Sequence, residues 1–365
     1  VGMEIRREMH DGELSSVRRA ALPALAALGG MLAPAGIYLL IASSSQVHSG
    51  WGVPMATDIA FAVGVLALLG SRVPPALRAL LLALAVIDDL GAIIVIAVFY
   101  SGGIQLAGLL VAALGLVGIF VLRSIGTRTY LAYVVPGAVV WAGTYASGVH
   151  PTIAGVVVGL ITPVRAWMGA ESFVSVARDQ AQRVADALTF HRPSRSIAKP
   201  LHEVDFARRE ALSPADHLIE ALHPWVAYAI MPLFALANAG VELHGLSLRG
   251  PAFEAGLGIV VALVVGKPLG VLLVTWVGLR ARLVVLPESL TPVHLVLLGI
   301  VAGIGFTMSL FIAQLAFSDA ALLATAKVGV LLASGLAMAL GTLVGLAFLK
   351  RGPQRQAGAI DSNAS

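Results

Sequence analysis

Three carboxylates and one ammonium stand inside stretches that otherwise carry almost no charge. Asp58 follows Thr57 in an apolar run at residues 53–69, Asp88 and Asp89 are neighbours within 75–100, and Lys267 lies within 255–279. A carboxylate among apolar neighbours can take up a proton or a cation. Two adjacent carboxylates in a poorly hydrated place repel one another and lose solvation, so at least one of them readily holds a proton near neutral pH. Carboxylate and hydroxyl oxygens are also the hard ligands that suit an alkali cation, which brings Thr57 into the same group. A lysine in such surroundings needs an anionic partner, and the aspartate pair is the nearest supplier.

The elements that must hold these groups are membrane-spanning helices. Of the 365 residues, 58% are hydrophobic and 12% charged, with a mean hydropathy of +0.90. A soluble domain carries about 25% charged residues. Apolar runs fall at about 21–42, 53–69, 75–100, 104–122, 130–147, 149–162, 224–240, 255–279, 292–317 and 324–349, ten spans in all. Asp88 and Asp89 are the 14th and 15th of 26 positions in their run, and Lys267 is the 13th of 25 in its own. With 1.5 Å of rise per residue and a hydrocarbon core of about 30 Å, all three lie at the midplane. A charge there is expensive and marks an ion pathway or a proton relay.

The connections fix the orientation. Twenty-one of the 24 basic residues fall on one side, Arg249 and Lys327 on the other, and only Lys267 lies within a span. Positive charge is retained in the cytoplasm, so the span count is even and both ends of the sequence are cytoplasmic. The basic balance is thus a topology signal, and no nucleic-acid partner is expected. With no cysteine there is no disulfide or thiolate site, and the nine histidines show no metal-ligand spacing. The sequence opens on Val1-Gly-Met-Glu, so residues upstream are expected.

Two spans carry signs of interruption. The run at 53–69 is short and contains Pro54, while 292–317 holds Gly299, Gly303 and Gly305 near its centre. Each sits in the middle of three spans, 21–100 and 255–349. The aspartate pair lies in the span after one break, and Lys267 lies in the span before the other. That order fits an inverted repeat with a transport site at the midplane. A transporter of organic anions needs a cation to receive its substrate, and the only intramembrane one is wanted by an aspartate. An intramembrane aspartyl protease needs two carboxylates facing one bond from opposite sides, which helix neighbours cannot supply. No phosphate-binding loop supports an ATP-driven pump.

These residues belong to longer motifs: GMEIRRE at 2–8, ATDIAFAVGVLALLGSRVP at 56–74, LALAVIDDLGAIIVIAVFY at 82–100, SGVHPTIAG at 147–155, LHPWVAY and MPLFALANAGV within 222–241, VGKPLG at 265–270 and GIGFTMSLFIA at 303–313. In this order they resemble the NhaA family of bacterial sodium/proton antiporters over nearly the whole chain. The resemblance implies an all-α polytopic fold with discontinuous helices and an inverted repeat, and electrogenic exchange of Na+, with Li+, for protons. It implies no enzyme activity and no cofactor, a homodimer, and a place in the bacterial inner membrane. It assigns Asp88 and Asp89 as Na+ ligands, Thr57 and Asp58 as the broken-helix pair, and Lys267 as the midplane lysine. Glu4, Glu8, Glu220 and His223 become candidates for pH control, with Glu220 one position nearer the HPW motif than the family's usual acidic residue.

The expected organisation is a cytoplasmic segment at 1–20 after a truncated helix, a first three-helix core unit at 21–100, interface helices at 101–162, a cytoplasmic connector at 163–223, an interface helix and outer loop at 224–250, a second, inverted core unit at 251–349 and a disordered tail at 350–365. The pattern departs from the family in the absent first helix and most of the second, in the length of the connector, and in Pro151 after His150. His150 reads as a turn or capping residue. Within the connector, Phe173, Ala177, Val184 and Leu188 keep roughly helical spacing, although a solvated connector is the simpler reading.

Overall fold

The computed structural model describes residues 2–127, 130–164, 166, 168–189, 195–211, 213–240 and 249–349; the expected disordered tail at 350–365 lies outside them. In chain order the helices are α1 (Gly2–Asp11), α2 (Val17–Ile41), α3 (Ile59–Leu69), α4 (Pro75–Phe99), α5 (Leu106–Ser124), α6 (Val134–Ala146), α7 (Thr152–Ile161) and α8 (Ala170–Thr189). They continue with α9 (Arg195–Ala211), α10 (Pro214–Trp225), α11 (Met231–Ala239), α12 (Pro251–Val261), α13 (Lys267–Arg280), α14 (Pro292–Ala302), α15 (Phe306–Ala316) and α16 (Ala320–Phe348). No strand occurs among the described residues.

Among the described residues seven stretches are long and apolar enough to cross a membrane, and the bent pair α14–α15 makes an eighth. The runs expected at 130–147 and 149–162 form shorter apolar helices, which fall below a full straight span. The ends of the helices follow local chemistry. Proline opens α4, α10, α12 and α14 in the first turn, where its missing N–H costs nothing. Asp319 caps α16 by accepting from Ala321 and Leu322 N–H, both at 2.9 Å.

The chain forms two units. One comprises residues 1–10 and 103–232, the other 11–102 and 233–365. In the first, α5 packs along α6, and α1 meets α7 where Gly2 lies against the backbone of Val156 and Gly159. Within the expected connector, Ala170–Thr189 and Arg195–Ala211 form α8 and α9, which pack on one another. Met168 N–H donates to Glu210 O at 2.9 Å and closes the base of the pair. Of the apolar residues spaced along α8, Phe173, Ala177 and Val184 are half-buried and Leu188 is exposed.

In the second unit α2 lies along α13, and α12 along α16. Gly29 and Gly270 bring the α2 and α13 backbones together, and a Cβ on either would overlap the other's carbonyl oxygen. Glycine contacts of this kind are how helices approach closely without a hydrophobic drive between them. A single π-helical turn, Ala262–Gly266, joins α12 to α13 and delivers Lys267 as the first residue of α13. The segment before α3 is a 3-10 helix, His48–Met55. Tyr100, just beyond α4, accepts from Gly52 N–H at 3.3 Å and donates to Ser49 O, tying that 3-10 helix to α4.

Candidate functional site

The site is built where two helices stop being helical. Between the 3-10 helix and α3 the backbone is extended at Ala56 and Asp58. Between α14 and α15 it is broken at Gly303–Gly305, with a bend of 44°. Asp58 N–H donates to Ile304 O at 2.7 Å, so the two breaks touch backbone to backbone. Interrupted backbone within the hydrocarbon layer is tolerated only where protein supplies the missing hydrogen bonds, and here the supply can be followed group by group.

The N–H ends of α3 and α15 share one anion. Asp58 Oδ1 accepts from Phe61 N–H at 3.2 Å, while Oδ2 accepts from Thr307 N–H at 3.0 Å and from the Thr307 hydroxyl. Asp58 is 1% exposed, and its charge complements the positive ends of two helices. Phe306 N–H goes instead to Ser334 Oγ on α16, at 3.0 Å. The carbonyl ends receive donors. Met55 O accepts from the Lys267 ammonium, Val53 O from the Ser309 hydroxyl at 2.8 Å, and Ala302 O lies 3.0 Å from Thr57 Oγ1.

Lys267 and Asp88 meet at 2.9 Å, neither with any exposed surface. Asp88 Oδ2 also lies 2.7 Å from Thr57 Oγ1, and Asp88 Oδ1 has no hydrogen-bond partner among the described residues. A hydroxyl has one proton to give. With Asp88 ionised, Thr57 donates to it; with Asp88 protonated, the carboxyl can donate to Thr57 and release that hydroxyl to Ala302 O. Asp89, the next residue on α4, is 3% exposed and points about 100° round the helix from Asp88. The cluster thus offers buried oxygens that can hold a proton or a small cation beside a competing ammonium.

The structure therefore brings together Thr57, Asp58, Asp88 and Lys267, with Asp89 adjacent. The four pH-control candidates belong to the other unit. Glu4 and Glu8 lie one turn apart on α1, and Glu220 and His223 are exposed on α10, all in the first unit. His150 accepts from Thr152 N–H at 3.4 Å at the start of α7, as a capping residue does. Sequence reasoning missed Thr307, Ser309 and Ser334 as site residues. The first two lie inside the GIGFTMSLFIA motif, whose conspicuous glycines drew the reading instead; Ser334 has no comparable signal.

Residues 1–345 match the family described as Na+/H+ antiporter 1. The chain is 61% identical over 345 residues to a protein of Myxococcus xanthus (strain DK1622) named Na(+)/H(+) antiporter NhaA 2, covering 94% of this chain and 73% of that one. A protein of Sorangium cellulosum (strain So ce56) with the same name is 52% identical over 349 residues, 94% of this chain and 75% of its own. Cupriavidus necator has a Na(+)/H(+) antiporter NhaA that is 50% identical over 352 residues, with 96% and 75% covered.

Proposed function

The chain belongs to the Na+/H+ antiporter 1 family, and on that premise we propose that it exchanges Na+ for protons across a membrane at the Asp88–Asp89 pair. The observation that carries the reading is the Asp88 carboxylate. It is fully buried and engaged through one oxygen by an ammonium and a hydroxyl, and its other oxygen makes no hydrogen bond among the described residues. Such a group favours a proton or a cation, and not both at once. Asp89 supplies the second carboxylate, so more than one proton can leave for each monovalent cation that enters, and the exchange moves net charge. Li+ is a hard cation that suits the same oxygens.

The same proposal extends to its setting. The excess of basic residues on one side supports a cytoplasmic location for both ends of this sequence, and the family resemblance supports the bacterial inner membrane and a homodimer. Glu4, Glu8, Glu220 and His223 serve as pH-control groups; their support is that all four are titratable and lie in one unit. An organic-anion substrate is disfavoured, because the buried ammonium of Lys267 is engaged by Asp88 and Met55.

The deciding experiment adds Na+ to energised everted vesicles that contain a pH-sensitive dye. Proton efflux on each addition is the expected result. No efflux from vesicles that demonstrably contain the protein would refute the antiport reading.

A further inference from the structure

We propose that Ser334, on α16, is a positioning residue for this transport reaction, and that it acts by keeping the first amide of α15 off Asp58. The inference rests on the antiport reading above. An α-helix leaves its first four N–H groups without intrahelical acceptors. At the start of α15 two consecutive ones are provided for separately: Phe306 N–H donates to Ser334 Oγ at 3.0 Å, and Thr307 N–H donates to Asp58 Oδ2 at 3.0 Å. Ser334 is 1% exposed, so little water is at hand to replace its hydroxyl.

Asp58 already accepts three hydrogen bonds and has room for one more. It accepts from Phe61 N–H, from Thr307 N–H and from the Thr307 hydroxyl, and its own N–H is given to Ile304 O. A buried donor deprived of its acceptor seeks another, and the carboxylate one residue along is the anion at this end of α15. Without the Ser334 hydroxyl the first turn of α15 would therefore lean toward Asp58 and draw on the negative charge offered to the site. Ser334 divides the donors between α16 and Asp58. Its link to the ion cluster runs through the first turn of α15 to Asp58.

The test compares wild type, Ser334→Ala and Ser334→Thr, each also in an Asp58→Asn background, by Na+-driven proton efflux from everted vesicles. Ser334→Ala is expected to raise the apparent KM for Na+ about three- to tenfold, the size of one neutral hydrogen bond, with the maximal rate little changed. Ser334→Thr, which keeps the hydroxyl, should restore most of the affinity. In the Asp58→Asn background Ser334→Ala should have little further effect, because the residue through which it acts has lost its charge. An unchanged KM, or the same factor in both backgrounds, overturns the proposal. Should Ser334→Ala fail to reach the membrane, Ser334→Cys, which keeps a similar volume and weakens the acceptor, carries the same expectation. Wild-type vesicles separate the two failures. No Na+-driven efflux there removes the antiport reading and this inference with it, whereas normal wild-type exchange matched by Ser334→Ala removes only the role of Ser334.

Discussion

Removing either partner of the Lys267–Asp88 pair leaves a charge stranded where neither side chain has exposed surface. Loss of one partner of a buried pair costs about 3 to 5 kcal/mol, whereas removing both together costs far less. Lys267→Ala should therefore lower the melting temperature of the detergent-solubilised protein, and Lys267→Ala with Asp88→Ala should recover part of the loss. Strictly additive losses would assign the stabilising partner of Lys267 elsewhere. Asp89→Asn is expected to abolish Na+-driven efflux at normal expression; substantial exchange at saturating Na+ would deny Asp89 an indispensable place. Asp58→Ala should instead weaken apparent Na+ affinity, since Asp58 serves two helix ends, and an unaltered affinity would contradict that. The four charges were legible in the sequence because charge at midplane depth has few innocent explanations. The hydroxyls were not. Thr144, Thr325 and Thr342 each donate to the carbonyl four residues back in their own helices, and that ordinary behaviour gives Ser309 and Ser334 no distinguishing mark in a list of residues.

At the scale of the element, α2 and α13 approach closely through glycines. A methyl on Gly270 would overlap the Gly29 carbonyl, whereas one on Gly36, also in α2, would meet nothing within 4 Å. Gly270→Ala should thus cost about 1 to 3 kcal/mol through forced separation of the helices. Gly36→Ala should be neutral or stabilising by up to about 1 kcal/mol through helix propensity. Matching melting temperatures for the two variants would show that the contact yields easily. Both interrupted spans were legible from Pro54 and the glycines around 303, because these residues weaken helices wherever they fall. The 3-10 form of residues 48–55 was not, because Gly50, Gly52 and Pro54 disfavour an α-helix without saying which conformation replaces it, and neither was the π turn at 262–266, where Ala-Leu-Val-Val-Gly suits an ordinary helical turn equally well.

For the whole molecule, the division into units cuts across chain order: residues 11–102 and 233–365 form one body around the ion cluster. The sequence signalled this only through the mirrored order of break and charge in its two ends. The α8–α9 pair belongs to the other unit, and its base is closed between Met168 and Glu210. Replacing residues 169–211 with a short flexible linker should leave the apparent KM for Na+ within about twofold of the intact chain, as expected for sites with no shared partners. A much larger change in protein that still reaches the membrane would tie the pair to transport. The π turn before Lys267 has a different consequence, one of counting. It holds one residue more than an α-helical turn requires, so deleting any single residue between 262 and 266 would restore an uninterrupted helix and rotate one side of the span against the other by about 100°. Because α12 is held along α16 and α13 along α2, the misfit would fall on the joint, and Lys267 would swing away from Asp88. Side chains in that turn can be exchanged for others of like size, but their number cannot change: the aim of the lysine is set by chain length as much as by the identity of its neighbours.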